Sequence, residues 1–174
     1  NAGLGANGDF ADRTEWAREY QSVMVNVVSA TVLMKEAVSA MAAAGGGRVL
    51  NVASTAAFMP GPWMAVYHAT KAYVLSLSEA VATELRDRPV TVTALCPGAT
   101  RTAFFRAGGM EKATFIQKLP MPTAESVAAR GWAAMKAGRR VVVTGIDNKI
   151  FAFLPRLAPR ALVPLIVGQF LRRR

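Results

Sequence analysis

Residues 48–95 read RVLNVASTAAFMPGPWMAVYHATKAYVLSLSEAVATELRDRPVTVTAL, and the order of apolar segments and turn residues in them indicates the fold class. The stretch begins with a short apolar run, residues 48–53, which predicts a buried strand. Prolines at 60 and 62 break the chain, and residues 63–86 then predict a long helix. Residues 90–95 predict a second strand. A strand, a helix and a strand in this order are typical of parallel strands joined by a crossover helix.

The flanking sequence continues the alternation of helices and strands. Before the first strand, apolar residues recur every three or four positions, which predicts a helix that opens near Asp12 or Thr14 and ends at the glycines at 45–47. The residues of this stripe are Trp16, Tyr20, Val23, Val27, Ala30 and Met34. After the second strand, residues 123–136 predict a third helix and residues 141–144 a third strand. The alternation predicts an α/β fold, with a parallel sheet covered by helices on both faces.

The composition of the 174-residue chain favours a compact domain in a reducing compartment. Apolar residues make up 52% of the chain, enough for a sizeable core. Cys96 is the only cysteine and His68 the only histidine, which excludes a disulfide framework and a zinc site built from Cys and His. No stretch predicts a membrane span or a signal peptide. Because the chain opens on Asn1 instead of Met, we expect a fragment whose beginning is missing.

Four polar side chains stand where such a sheet would place a site. Tyr67 and Lys71 are four residues apart on the second predicted helix, so their side chains share one face. Ser54 follows a buried strand, where parallel sheets bind ligands, and precedes Tyr67 by 13 residues. Asn26 interrupts an apolar run, and a buried amide needs hydrogen-bond partners. The spacing of Tyr67 and Lys71 alone also fits an ordinary amphipathic helix. It is the combination of all four polar side chains that indicates a catalytic site.

Five motifs in chain order resemble those of the short-chain dehydrogenase/reductase family, and the resemblance covers nearly the whole chain. They are similar to the family's Asn-Asn-Ala-Gly turn, its helix asparagine, the strand before its serine, its Tyr-x-x-x-Lys pair and its Pro-Gly-x-x-x-Thr turn. The matching residues are Asn1-Ala2-Gly3, Asn26, Asn51-Val52-Ala53-Ser54, Tyr67-His68-Ala69-Thr70-Lys71 and Pro97-Gly98-Ala99-Thr100-Arg101-Thr102. The resemblance implies the C-terminal two-thirds of a Rossmann-like, doubly wound parallel sheet.

The resemblance also implies an NAD(P)-dependent oxidoreductase that interconverts a carbonyl and a secondary alcohol by hydride transfer, with NADP favoured over NAD. Tyr67 fits the role of general acid/base, because a ketone oxygen that gains negative charge needs a proton donor within reach. We expect the ammonium of Lys71 to lower the pKa of Tyr67 and Ser54 to hold the substrate oxygen. By resemblance, Asn26 holds a water that links Lys71 to solvent.

The expected cofactor contacts come from the resemblance as well. Lys71 would hold the nicotinamide ribose and Thr102 the carboxamide, and no metal is implied. The full set of expected cofactor-binding residues is Asn1, Ala2, Gly3, Tyr67, Lys71, Pro97, Gly98 and Thr102.

The main departure from the family pattern is an absence. This sequence does not contain the family's glycine-rich turn, which approaches the cofactor's pyrophosphate. The glycines at 45–47 cannot replace this turn, because they precede a strand instead of linking a strand to a helix. We therefore expect three more strand and helix units before Asn1, about 90 residues at roughly 30 residues each. We also expect this chain by itself to bind dinucleotide poorly.

The chain is expected to divide into a catalytic part, residues 1–146, and a basic apolar tail, residues 147–174. Residues 149–174 hold six basic and no acidic side chains, and prolines at 155, 159 and 164 break them into short pieces. Such a tail suits the surface of an anionic membrane. Packing of the tail on the enzyme, or an oligomer contact, remains equally open.

The loop at residues 102–121 is rich in apolar side chains, which favours a small apolar carbonyl or alcohol as substrate. Packing of a lid is the alternative explanation. The side chains are those of Phe104, Phe105, Met110, Phe115, Ile116, Leu119 and Met121.

The remaining expectations concern location and partners. We expect a cytoplasmic protein, with attachment to the inner face of a membrane as an alternative, and no nucleic-acid partner, because basic residues outside the tail are interleaved with acidic ones. By resemblance, the second and third helices form the contacts of a homodimer or homotetramer. Two other functional classes stay open: an inactive fragment that binds a membrane or a partner, and a related isomerase or dehydratase that reuses Tyr67 and Lys71.

Overall fold

The computed structural model describes residues 3–11, 15–107 and 121–172. Within these residues, three parallel strands form one sheet in the order β1 (Gly47–Val52), β2 (Val90–Cys96) and β3 (Val141–Val143). Gly47 lies opposite Val90, and Ala94 lies opposite Val141. The expected α/β fold with a parallel sheet is confirmed, and the predicted strand boundaries are correct to within one residue.

Seven α-helices connect and flank these strands in the described residues. They are α1 (Trp16–Val23), α2 (Ala30–Ala43), α3 (Ala65–Glu84), α4 (Phe104–Ala107), α5 (Ala124–Lys136), α6 (Ile146–Phe153) and α7 (Leu162–Leu171), with short 3-10 turns at Thr55–Phe58 and Leu154–Arg156. The three helices expected between the strands and before the first strand are all present. Asp12 and Thr14, the expected start of the first helix, lie outside the described residues.

Side chains of β2 contact helices on both faces of the sheet, because successive side chains of a strand point to opposite sides. Val90 and Val92 pack with Met34 of α2 in one core cluster, and Ala94 and Cys96 pack with α3 in another. Leu95 points the other way, towards α5. A Cβ at Gly131 of α5 would stand 2.6 Å from a methyl of Leu95, so the absence of a side chain there lets the helix approach the sheet closely.

The first helix differs from the expectation at its centre. Between α1 and α2, residues Met24–Ser29 form a π-helical segment, so Trp16–Ala43 is one continuous helix with an extra residue in one turn. The apolar spacing did not indicate this segment, because the spacing of three and four continues across it. Asn26 lies inside it and is buried. Single π-helical turns are frequent at functional sites, which draws attention to this residue.

This helix is also long and apolar enough, by length and composition, to cross a membrane, which the sequence analysis did not expect of any stretch. That criterion is weak evidence, because core helices of water-soluble domains meet it too. Met34 packs in the core against β2, and Asn26 forms hydrogen bonds with the backbone of Leu4 and with Thr70 of α3. These two residues hold the helix against the domain, while only 11% of its apolar window is buried.

The tail forms two short helices with Pro155 and Pro159 between them, as its prolines predicted, whereas Pro164 does not break the second helix. Pro164 is the third residue of α7, in the first turn, where the backbone nitrogen has no partner within the helix. Pro155 lies in the 3-10 turn that follows α6. Trp63 donates a hydrogen bond from Nε1 to the Gly168 carbonyl oxygen at 3.2 Å, which ties α7 to the loop before α3. The division into residues 1–146 and 147–174 stays a prediction.

Candidate functional site

The four expected catalytic residues come together at the carboxyl end of β1. Ser54 lies two residues beyond the strand, Tyr67 and Lys71 lie in the first two turns of α3, and Asn26 lies in the π-helical segment. Lys71 Nζ donates to the Val52 carbonyl oxygen at 2.9 Å and lies 5.9 Å from the centre of the Tyr67 ring. The spacing of four residues thus places both side chains on the same face of α3, as expected.

Ser54 sits at the turn between the strand and the Thr55–Phe58 helix. Its Oγ accepts a hydrogen bond from the Ala56 amide at 3.1 Å and lies 3.4 Å from the Pro97 carbonyl oxygen, to which it can donate. The Ser54 hydroxyl also forms a hydrogen bond with Tyr67 that acts to lower the pKa of the phenol. A hydroxyl fixed by the backbone in this way can hold a substrate oxygen next to Tyr67.

Tyr67 is half-buried beneath an aromatic side chain of α4. The centres of the Tyr67 and Phe104 rings are 5.1 Å apart. Burial raises the pKa of Tyr67 above its ordinary value, and the hydrogen bond from Ser54 opposes this effect. The phenol is therefore protonated at neutral pH and can serve as a proton donor.

Lys71 is almost fully buried, with 6% of its surface exposed. Burial lowers its pKa to about 8, because the charged form loses its hydration, and Cys96 partly opposes the shift. The expected lowering of the Tyr67 pKa by Lys71 is not what the structure shows. Desolvation is the larger effect on both groups, and the ammonium is directed at the Val52 carbonyl instead of the phenol oxygen.

The pKa of Lys71 leads to a prediction for the folded protein. We expect the side-chain NMR signals of Lys71 to titrate near pH 8, well below an ordinary lysine. Because the folded state loses this proton before the unfolded chain does, the free energy of unfolding should rise between about pH 8 and pH 10.5 through this group. Assignment with a Lys71→Met variant provides the control. A Lys71 signal that titrates above pH 10 would contradict the burial of its charge.

Asn26 links the start of the described chain to α3. Its amide nitrogen donates to the Leu4 carbonyl oxygen at 2.8 Å and to Thr70 Oγ1 at 3.0 Å. Its amide oxygen accepts from the Leu4 backbone nitrogen at 3.0 Å. Both amide donors are therefore used by protein groups, so the side chain fixes the backbone around Leu4 against α3.

The expected cofactor-binding residues that the structure describes, namely Gly3, Tyr67, Lys71, Pro97, Gly98 and Thr102, line one large cleft of about 1950 Å³. A Cβ on Gly3 would stand 3.4 Å from Lys71 Nζ, so the glycine brings the backbone close to the ammonium. Pro97 accepts a hydrogen bond from the Thr55 amide, and the backbone of Gly98 lies against the side chain of Asn148. Asn1 and Ala2 lie outside the described residues.

Thr102 lies at the exposed edge of the same cleft, where its Oγ1 accepts a hydrogen bond from the Phe104 amide at 3.3 Å. Among the described residues, the structure gives Lys71 Nζ one protein acceptor for its three hydrogens, which leaves donors for a ligand in the cleft. These features fit the nicotinamide and ribose end of a dinucleotide. The glycines at 45–47 lie at the start of β1, so they form no strand-to-helix turn.

Part of the expected apolar loop also lines this cleft, namely Phe104, Phe105 and Met121. Met110, Phe115, Ile116 and Leu119 lie outside the described residues. His68, which follows Tyr67, is buried, and its Nδ1 donates a hydrogen bond to the Met59 carbonyl oxygen at 2.8 Å. In the part of the chain that the structure describes, no group of three or more His, Cys, Asp or Glu could hold a metal ion.

Sequence reasoning missed three contributions to the site. Thr70 donates to the Tyr67 carbonyl oxygen at 2.8 Å and accepts from Asn26, and its position beside Lys71 was the only available signal. Trp63 adopts a positive φ of 69° just before α3, which a bulky residue rarely does. The tail forms one wall of the cleft, through residues that include Phe151, Leu154, Ile166 and Phe170.

Comparisons with known proteins identify the family and the fold of this chain. Residues 1–112 match the model of the short chain dehydrogenase family. Dehydrogenase/reductase SDR family member 4 from Homo sapiens is 35% identical over 105 residues, and the match covers 60% of this chain and 37% of that protein. The chain thus spans well under half the length of this curated relative.

Two solved structures extend the comparison to the fold. A short-chain dehydrogenase from Burkholderia cenocepacia J2315 in complex with NADP is 26% identical, with a TM-score of 0.75 over 96% of this chain and 68% of that one. A bulky-bulky ketone specific alcohol dehydrogenase from Comamonas testosteroni is also 26% identical, with a TM-score of 0.70 over 90% and 59% of the two chains. From the family match and the arrangement of Ser54, Tyr67 and Lys71, the chain belongs to the short-chain dehydrogenase family.

Proposed function

We propose that this chain carries the catalytic centre of an NAD(P)-dependent oxidoreductase that interconverts a carbonyl and a secondary alcohol. The observation that carries the proposal is the placement of Ser54, Tyr67 and Lys71 around one end of a large cleft. A protonated phenol, a hydroxyl fixed by the backbone and a buried ammonium suit a reaction in which negative charge develops on a substrate oxygen.

Tyr67 acts as the general acid in carbonyl reduction and as the general base in alcohol oxidation. Its raised pKa keeps the proton on the phenol until the carbonyl oxygen gains charge. Ser54 holds the same oxygen through its hydroxyl, which is already positioned by the Ala56 amide. Lys71, whose Nζ donates to the Val52 carbonyl oxygen and lies 5.9 Å from the centre of the Tyr67 ring, would act on the phenolate that remains after proton transfer only through its charge at a distance.

NAD or NADP would supply or accept the hydride, which no side chain can do. Lys71 would hold the ribose next to the nicotinamide, with Gly3 leaving room for the backbone to approach. Pro97, Gly98 and Thr102 would line the other side of the nicotinamide. The NADP bound to the Burkholderia cenocepacia relative supports a nicotinamide dinucleotide. Asn26 would keep the turn at Gly3 and Leu4 in place. The water that links Lys71 to solvent would then bind to the main chain of Asn26.

The substrate is an apolar ketone or secondary alcohol. The cleft wall supports this proposal, because it combines aromatic and aliphatic side chains from α4 and from the tail. The Comamonas testosteroni relative is named as an alcohol dehydrogenase specific for bulky-bulky ketones, which agrees with a large apolar substrate site in this chain.

The test is a kinetic series with 2-ketones of increasing chain length, with the complete protein and NADPH or NADH. Each methylene that enters an apolar cleft should raise kcat/KM by a few-fold, because its burial contributes about 0.8 kcal/mol. The control is a second series of 2-ketones that have the same chain lengths but end in a hydroxyl group. A flat dependence of kcat/KM on length would refute an apolar substrate, and no oxidation of reduced dinucleotide with any ketone would refute the proposed reaction.

The complete protein would be a homodimer or homotetramer in the cytoplasm. Exposed apolar side chains on α2 and α3, among them Val32, Leu33 and Tyr73, support an oligomer contact through these helices. The third predicted helix also exposes a large apolar side chain, Trp132, which is 60% exposed on α5. The buried free Cys96 is compatible with a reducing compartment. A monomeric mass in sedimentation equilibrium would contradict the oligomer.

A further inference from the structure

The C-terminal segment, residues 146–172, has one side that packs against the domain. Ala152, Val163 and Gly168 are buried, and the Gly168 carbonyl oxygen accepts the Trp63 indole hydrogen bond. Asn148 Nδ2 donates to the Thr144 carbonyl oxygen at 2.7 Å, which fixes the start of α6 after β3. The inner faces of α6 and α7 therefore have partners, and both helices line the cleft.

The other side of the segment exposes large apolar side chains. On α6, Ile146, Ile150 and Phe153 follow each other at intervals of four and three, so they share one helix face, and they are 77%, 54% and 54% exposed. On α7, Leu162 and Leu165 are 48% and 66% exposed. Exposed apolar side chains that share a helix face, as on α6, are typical of an interaction site on a folded domain.

The charges around this surface identify the partner. Lys149, Arg156, Arg160 and Arg172 are all exposed, and Asp147 is the single acidic residue among those of the segment that the structure describes. Arg172 also lies 5.6 Å from the centre of the Trp63 ring, beside the end of α7. Apolar side chains that are flanked by basic ones match a bilayer with anionic headgroups, where each basic residue contributes about 1 kcal/mol.

The length of α7 decides whether this helix could span a bilayer or only lie on its surface. The ten residues of α7 extend about 15 Å at 1.5 Å per residue, half of the roughly 30 Å hydrocarbon core. A helix of this length cannot span a bilayer, but it can lie in the plane of the interface with its apolar face inserted.

Some side chains of the segment connect the exposed surface with the interior of the cleft. Leu154, Leu157, Ile166 and Phe170 line the cleft and are each at least half exposed. Apolar side chains of the segment therefore lie both at the protein surface and in the wall of the cleft that Tyr67 also lines.

We propose that the C-terminal segment binds the surface of an anionic bilayer and that apolar substrate enters the cleft from that bilayer. The second half of this statement rests on the proposed oxidoreductase function. The first half depends only on the surface of the segment.

The experiment measures sedimentation of the full chain with mixed phosphatidylcholine and phosphatidylglycerol vesicles, and with pure phosphatidylcholine vesicles as the neutral arm. The protein should sediment with the mixed vesicles, more weakly with the neutral ones and less as salt is added. Arg156→Gln with Arg160→Gln should weaken partitioning roughly 30-fold. The matched control, Arg86→Gln with Arg88→Gln, removes the same charge from an exposed turn outside the segment and should leave partitioning unchanged.

A second pair of variants tests the apolar face. Phe153→Ser should weaken partitioning at least about tenfold, and Phe10→Ser, an exposed phenylalanine outside the segment, should not. Equal sedimentation of all variants, or no sedimentation of the unmodified chain, would overturn the proposal. Self-association in buffer that Phe153→Ser abolishes, without vesicle binding, would assign the surface to a second copy of the chain and also overturn it.

Substrate entry is tested separately in the complete protein. Anionic vesicles should raise kcat/KM for a long-chain ketone several-fold, and Phe153→Ser should remove this gain while activity on a short, water-soluble ketone stays the same. Vesicle binding without the gain would refute entry from the bilayer. Absence of all activity would refute the proposed function, while the sedimentation result would still decide whether the segment binds a membrane.

Discussion

Tyr67→Phe is expected to lower kcat/KM for carbonyl reduction by about 10²- to 10⁴-fold, the usual contribution of a positioned general acid. The phenol forms a hydrogen bond with the Ser54 hydroxyl, and burial keeps it protonated. Phe retains the ring and its contact with Phe104, so the loss would come from the hydroxyl alone. Steady-state kinetics of the complete protein with reduced dinucleotide measure the effect, and dinucleotide binding should change little.

Tyr73→Phe is the matched control for this result. Tyr73 lies on the same helix, and its hydroxyl is within 2.8 Å of Thr31 Oγ1 on α2, away from the cleft. This variant should keep kcat/KM within about twofold, because the hydroxyl that it removes is not among those that line the cleft. Equal losses in the two variants, or no loss in Tyr67→Phe, would remove Tyr67 from the reaction.

Asn26→Ala is expected to lower the free energy of unfolding by about 2–4 kcal/mol. It removes three hydrogen bonds, each worth about 1 kcal/mol net and more where a partner stays buried and unpaired. The side chain is 2% exposed, so water cannot replace it without rearrangement. Loss of these bonds would also release the backbone at Leu4 from Thr70, beside the ammonium of Lys71. Urea unfolding followed by circular dichroism measures the change.

Two further variants make the result specific. Asn26→Asp keeps an acceptor for the Leu4 amide but loses the donors to Leu4 and Thr70. Its free energy of unfolding should therefore fall by more than that of Ser29→Ala. Ser29→Ala lies in the same π-helical segment, is exposed and should cost less than about 0.5 kcal/mol. An Asn26→Ala protein as stable as Ser29→Ala would show that the amide does not hold the two parts of the site together.

Much of the fold and of the site could be predicted because both depend on local patterns. The strands β1 and β2 were predicted to within one residue, since apolar runs that end at glycine or proline have few other structures available. Tyr67 and Lys71 were placed on one helix face by their spacing, and Ser54 was placed by the end of β1. These inferences need only the periodicities of a helix and a strand.

The rest depends on contacts between residues that are distant in the sequence. The π-helical segment around Asn26 is stabilised by Leu4 and Thr70, 22 and 44 residues away, and no periodicity reports such a partner. The directions of the Tyr67 and Lys71 pKa shifts follow from burial, which exceeds the effect of one charge on the other. That the tail would form a wall of the cleft also depended on long-range packing, through Trp63 and Gly168.

The most direct test of the central claim is transfer of deuterium from the nicotinamide C4 of labelled NADPH or NADH to a ketone by the complete protein. The account predicts that mass spectrometry finds one deuterium on the carbinol carbon of the product, and that Tyr67→Phe loses this transfer while Tyr73→Phe keeps it. Binding of the dinucleotide without label in any product would contradict the account, and the chain would then be a binding module on a dehydrogenase fold.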